Sequence, residues 1–202
     1  MKIFCIGRNY GAHAKELGNA VPENPVVFAK PDTALLKNGE SFYVPDFSND
    51  VHHEVELVIK ISKVGKNIQE KFARNYFSEI GLGVDFTARD LQTELKTKGL
   101  PWELAKGFDG SAPIGEFMSI EGVNIHDISF SLHKNGELVQ TGNSADMIFS
   151  MEKIVSFISS YFTLKVGDLI YTGTPAGVGK VVAGDKLEGF IGNKSMLAFE
   201  VK

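Results

Sequence analysis

The sequence predicts a single-domain α+β protein, rich in strands and sparing in helices. Three observations carry that reading. The 202 residues suffice for one well-buried domain and are marginal for two. The 21 glycines are scattered along the chain at intervals that suit turns between short strands. Helical periodicity is confined to three segments, one of them barely two turns long.

Among the strands, "ISFSLHK" and "ELVQT" flank Asn135-Gly136, a pair suited to a two-residue type I′ turn, and so form a hairpin. From Thr163 onward, "LKVGDLIYTGTP", "AGDKLEGFI" and "NKSMLAFEVK" read as further strands, two of them entered through Gly-Asp turns. The helix in "TARDLQTELKTKG" aligns Ala88, Leu91 and Leu95. It is expected to open on a variant capping box, Thr87 with Asp90, and to stop at Gly99 before Pro101. In "ADMIFSMEKIVSFISSYF" the residues Met147, Met151, Ile154, Val155 and Ile158 share an apolar face, predicting a helix from about Asp146 to Ser159. "NYGAHAKELG" is too short to hold a helix without tertiary contacts.

Composition narrows the function. Net charge is −4 with no block of Lys or Arg, so the footprint of a nucleic-acid or anionic-membrane binder is missing and a small-molecule partner is expected. The apolar run in "MKIFCIG" is too short for a signal-peptide core, and no segment approaches the roughly 20 apolar residues of a membrane span, so a cytoplasmic protein is expected. Cys5 is the single cysteine and reads as a buried structural thiol.

The chemistry centres on "VHHEVELVIKI". A period of two puts Val55, Leu57, Ile59 and Ile61 on one face, and His52, Glu54, Glu56 and Val58 on the other. Residues two apart on a strand are separated by roughly 6.5–7 Å, so the two carboxylates can converge on one ion. Buried without a partner they would repel, and one would be driven to protonate. A divalent cation removes that conflict, and oxygen-only ligation suits Mg2+ or Mn2+. Asp85 in "IGLGVDFTARD", between an apolar strand and a helix, is the best third carboxylate; Asp90 is already accounted for in the first helical turn. On spacing alone, a bare Glu-x-Glu reads more readily as a solvated strand face. His52 and His53 point to opposite faces and read as structural histidines.

"TGTPAGVGKV" is not a phosphate loop: Thr174 stands where its first glycine belongs, Val181 replaces the Ser/Thr, and Val182 spoils a dinucleotide fingerprint. No G-x-S-x-G elbow is present.

Taken together, "GRNYGAHAKEL", "HHEVELVIKI", "VDFTARDLQ", "KGLPWELAKGFDGSAPIG" and "TGTPAGVGKV" resemble the fumarylacetoacetate hydrolase family in order and approximate spacing, over nearly the whole chain from Gly7. The resemblance is closest to its small single-domain branch of acylpyruvate hydrolases and oxaloacetate decarboxylases. It implies a mixed β-roll with flanking helices, spanning 1–202 as one catalytic domain with a mobile lid helix within 1–20, and a homodimer. It further implies a metal bound by Glu54, Glu56 and Asp85, substrate contacts from Arg8, Gln92, Lys106 and Thr174, and a catalytic dyad of His13 and Glu16 on the lid. Without the resemblance, Lys106 reads as an exposed loop lysine, and His13 with Glu16 as a surface helix pair three residues apart.

The expected activity is hydrolysis of an acylpyruvate to a carboxylic acid and pyruvate. His13, oriented by Glu16, would activate water, and Lys106 would stabilise negative charge on substrate oxygen. Oxaloacetate decarboxylation comes second, and keto-enol or double-bond isomerisation of a 2-hydroxymuconate-like diacid third. A non-catalytic 2-oxo-acid binder and a metal-free interaction module are the alternatives from other classes.

Overall fold

The computed structural model describes residues 1–12 and 21–202. The part of the lid segment that carries His13 and Glu16, residues 13–20, therefore lies outside the described residues. In chain order the strands are β1 Ile3–Gly7, β2 Val26–Lys30, β3 Leu35–Lys37, β4 Val51–His53, β5 Val55–Ile61, β6 Phe77–Val84, β7 Thr87–Ala88, β8 Ala112–Ser119, β9 Ser129–Lys134, β10 Glu137–Asn143, β11 Leu169–Tyr171, β12 Gly179–Lys180, β13 Lys186–Ile191 and β14 Lys194–Glu200. The helices are α1 Glu70–Ala73, α2 Arg89–Thr97, α3 Glu103–Lys106 and α4 Met151–Tyr161. A mixed seven-stranded sheet runs β2-β1-β11-β5-β6-β8-β3, a four-stranded antiparallel sheet runs β10-β9-β13-β14, and β12-β4-β7 form a small third sheet. This is the strand-rich mixed roll with few helices that was expected.

Strand β5 organises the core. Val55, Leu57, Ile59 and Ile61 are fully buried in the main cluster, which also takes in Phe130, Leu132, Leu187 and Leu197 from the four-stranded sheet. Each such burial is worth about 1.5–3 kcal/mol. A slip of one residue would swap these side chains for Glu54, Glu56 and Val58, so the apolar face fixes where the two glutamates point. The reverse face is no solvated surface: Val58 packs with Ile3, Cys5 and Tyr171 in a second cluster.

The hairpin forms as read, with Asn135 at φ 56° and Gly136 at φ 84° between β9 and β10. Asn135 also donates its side-chain amide to Asp185 (2.8 Å) and accepts from the Lys186 backbone (2.8 Å), which explains a non-glycine residue in this conformation.

Two boundaries need correction. Helix α4 starts at Met151 rather than Asp146, because the Ser150 hydroxyl accepts the Lys153 N–H and caps it there. Met147 instead follows a 3-10 turn, Ser144–Asp146, and bridges Tyr10. Thr87 does not cap α2 either: Ala88 holds that position, and the Thr87 side chain is buried and engaged with Lys106. Asp90 does accept the Leu91 N–H, and it also ties down Ser48 and Asn49. The far end of α2 behaves as expected, with Gly99 at φ 64° closing the helix and Leu100 N–H bonded to Leu95 O.

Candidate metal centre

Three loops and strand ends deliver the acidic side chains. Glu54 stands at the break between β4 and β5, Glu56 one residue pair further along β5, and Asp85 just beyond β6, which is paired to β5 through Val55 and Val84. Asp85 N–H bonds to Glu54 O (2.8 Å), locking the two segments together. Phe86 then anchors the chain, its N–H on Ser111 O and its ring stacked on Phe42 at 3.8 Å. All three carboxylates are buried, and each offers an oxygen within 4.8 Å of the others.

Three cations face them. Lys106, at the end of α3, gives all three of its N–H donors away: to Glu54 Oε2 (2.9 Å), Asp85 Oδ2 (2.7 Å) and Thr87 Oγ1 (2.6 Å). It is thus a buried helical residue and not an exposed loop lysine. Burial alone would lower its pKa, but Asp85 and Glu54 outweigh that and raise it, so the ammonium stays charged. Lys30, its side chain wholly buried at the end of β2, pairs with Asp85 Oδ1 (2.8 Å) and donates to Ser111 O (2.7 Å). Arg89 of α2 grips Glu54 Oε1 and also holds Gln92 Oε1 (2.7 Å).

Three negative and three positive charges balance formally, but not locally. The cations touch Glu54 and Asp85; Glu56 touches none among the described residues. Its Oε2 accepts the Gly173 N–H (2.7 Å), the one hydrogen bond it makes there. Burial, then Asp85, then Glu54 push its pKa well above the ordinary carboxylate range. A buried carboxylate with one neutral donor is costly by several kcal/mol. An oxygen-seeking divalent ion held by Glu54, Glu56 and Asp85 would relieve it, so the residues present fit such an ion.

The same cleft is lined by Arg8, Gln92, Lys106 and Thr174, so all the described residues singled out from the sequence meet in one place. Thr174 is less free than expected of a carboxylate binder: its hydroxyl proton goes to Val55 O (2.9 Å), and its oxygen accepts from Gln140 (3.0 Å). Gln140 in turn holds His53 (2.8 Å), while His52 bonds Asp50 (2.9 Å), so both histidines are structural. Sequence reading missed Lys30, Arg89, Lys96, Phe28 and Trp102. Arg89 lay inside a quoted motif; a lysine closing an apolar strand gave no sign of being buried.

The family model for the fumarylacetoacetate (FAA) hydrolase C-terminal domain matches residues 2–202. The chain belongs to the fumarylacetoacetate hydrolase family. It is 44% identical over 202 residues to oxaloacetate tautomerase FAHD1, mitochondrial, of Arabidopsis thaliana, covering 100% of this chain and 91% of that one. It is 42% identical over 188 residues to oxaloacetate tautomerase YcgM of Escherichia coli (strain K12), covering 92% and 86%. Among solved structures, a fumarylpyruvate hydrolase from Pseudomonas aeruginosa in complex with Mn2+ and pyruvate superimposes with a TM-score of 0.94 at 36% identity, covering 100% of this chain and 89% of that one. A 2-hydroxyhepta-2,4-diene-1,7-dioate isomerase from Mycobacterium marinum gives 0.86 at 34%, covering 99% and 73%. Among the described residues no helix is long and apolar enough to cross a membrane.

Proposed function

We propose that the protein is a divalent-metal-dependent enzyme that moves a proton at C3 of a 2-oxo acid, with keto-enol tautomerisation of oxaloacetate as its first activity. The observation that carries the reading is the buried trio Glu54, Glu56 and Asp85, whose Glu56 forms no ion pair among the described residues. The ranking drawn from the sequence, with acylpyruvate hydrolysis first, changes because relatives at 41–44% identity over nearly the whole chain are named oxaloacetate tautomerases.

A bound Mg2+ or Mn2+ would supply Lewis acidity, stabilising negative charge on the 2-keto oxygen. His13, oriented by Glu16, takes the C3 proton; the C3–H bond breaks and its electron pair forms the C2–C3 double bond. Lys106 stabilises the oxygen that gains charge, and Gln92 donates an amide N–H to the substrate. Arg8 holds the substrate's anionic end at the rim. Returning a proton to the oxygen completes the enol, and the reverse sequence restores the ketone.

Hydrolysis of an acylpyruvate remains the second reading, favoured by the likeness to the fumarylpyruvate hydrolase that holds Mn2+ and pyruvate. The two differ in the fate of carbon: tautomerisation breaks no carbon–carbon bond. Enol absorbance, released pyruvate and released CO2 should therefore be followed together for oxaloacetate, fumarylpyruvate and acetylpyruvate, with Mn2+, Mg2+ and chelator. Faster loss of oxaloacetate enol without CO2 supports the first reading. Pyruvate from fumarylpyruvate would move hydrolysis to first place, and no turnover of any substrate would leave a 2-oxo-acid binder. A homodimer in the cytoplasm completes the proposal, to be checked by sedimentation and by localisation of the tagged protein.

A further inference from the structure

Helix α2 carries Arg89, Gln92 and Lys96 at spacings of three and four, which places them along one stripe, and all three line the cleft. Arg89 at the near end is engaged with Glu54 and Gln92. Lys96 stands two turns further out, about 10 Å along the helix, at the cleft's rim. Facing the same space is Arg8, on the segment that follows β1. Neither the Arg8 guanidinium nor the Lys96 ammonium has a hydrogen bond or ion pair with any described residue.

The chain invests in this unfavourable pairing. Arg8 sits in the left-handed region at φ 60°, a conformation costing about 1–3 kcal/mol for a residue with a side chain. The next residue, Asn9, is fully buried and fastened: its amide donates to Thr172 O (2.7 Å) and Phe149 O (3.0 Å), and its Oδ1 accepts the Phe149 N–H (2.8 Å). Those bonds hold the backbone turn that presents Arg8 to the cleft. The proximity is felt electrostatically, since burial first, then Arg8 and Arg89, lower the pKa of Lys96. Phe28 and Trp102, meeting edge to face at 6.0 Å, also line the cleft, and among the described residues no acid pairs with either cation.

We propose that Arg8 and Lys96 together receive the distal carboxylate of a dicarboxylic 2-oxo acid, and that Lys96 sets the preference for such substrates over 2-oxo acids with a neutral tail. This rests on the reading that the acidic trio binds the 2-oxo-acid end. The acidic trio, with the ion it would hold, then takes one end of the substrate, and two cations unpaired among the described residues take the other. Charge-assisted contacts at a rim shared with solvent are worth enough to discriminate by about tenfold.

The test uses the Mn2+-loaded protein and two five-carbon 2-oxo acids, 2-oxoglutarate and 2-oxopentanoate, in which a terminal carboxylate replaces a terminal methyl. Equilibrium binding is measured by titration calorimetry for the wild type, K96M and K96R, with thermal unfolding as a check on folding. The expected result is an about tenfold preference for 2-oxoglutarate in the wild type. K96M should reduce it to within about twofold without changing affinity for 2-oxopentanoate, and K96R should restore it. Raising salt should erode the wild-type preference and leave K96M unaffected. A wild type that binds both ligands alike, or a K96M that loses both equally, overturns the proposal. The preference with no turnover of oxaloacetate would sink the tautomerase reading and leave the receptor standing.

Discussion

Gly173 reaches Glu56 only because it has no side chain: a Cβ there would lie 2.6 Å from Asn9 Cβ, and its φ of 105° is one that side-chain-bearing residues avoid. From that position its N–H supplies Glu56 Oε2 with its hydrogen bond. Replacing Gly173 with Ala must push Asn9 or turn the peptide away. The expected outcome is a loss of about 1–3 kcal/mol in stability and at least tenfold weaker Mn2+ binding, read by denaturant titration and calorimetry. Unchanged Mn2+ affinity would show that the Gly173 contact is incidental.

Metal should be written into thermal stability. At a concentration 100 times its Kd, an ion bound only by the folded chain adds about 2.7 kcal/mol. Mn2+ or Mg2+ should raise Tm, and EDTA should reverse the shift and stop turnover. An unchanged Tm would count against the centre.

The isosteric change Glu56→Gln separates charge from shape. It removes a buried carboxylate that touches no cation among the described residues, so the metal-free variant should unfold at or above the wild-type temperature. It should also lose the Mn2+-induced rise in Tm and most of the turnover. A metal-free variant several degrees less stable than wild type would mean that Glu56 is already well satisfied.

Lys30 is expected to act as a positioning residue for Asp85. Lys30→Met keeps its length but strips Asp85 Oδ1 of its ion pair, a change that costs about 3–5 kcal/mol for a buried pair. Mn2+ affinity should fall at least tenfold while Lys30→Arg recovers part of it. Equal Mn2+ affinity in Lys30→Met would confine Lys30 to stability alone.

Far from the cleft, Asn135→Ala should cost about 1 kcal/mol, from the left-handed turn and two lost hydrogen bonds, or some 2–4 °C in Tm. Turnover per folded molecule should not change.

The sequence was most informative where one local rule governed. Period-two alternation placed Glu54 and Glu56 on one face because four apolar neighbours fix the register, and the Asn135-Gly136 turn needs nothing beyond its own backbone. Legibility faded where a distant partner overrode a local preference. Thr87 looked like a helix cap, but Lys106, nineteen residues on, claims its hydroxyl. Met147 continued the apolar stripe of α4, yet the cap at Ser150 cut the helix short. Lys30 resembled any lysine at a strand end; its burial depends on Asp85 and Ser111, which only the folded sheet brings near.

The centre joins early and late parts of the polypeptide. Strand β1 lies beside β11 in parallel, and Asn9, Glu56 and Gly173 interlock although 164 positions separate the first from the last. Such long-range pairings close slowly, after much of the loop entropy has been spent. A nascent chain on the ribosome therefore cannot assemble this pocket until residue 173 has emerged from the exit tunnel. Nascent fragments released before that point should bind no manganese.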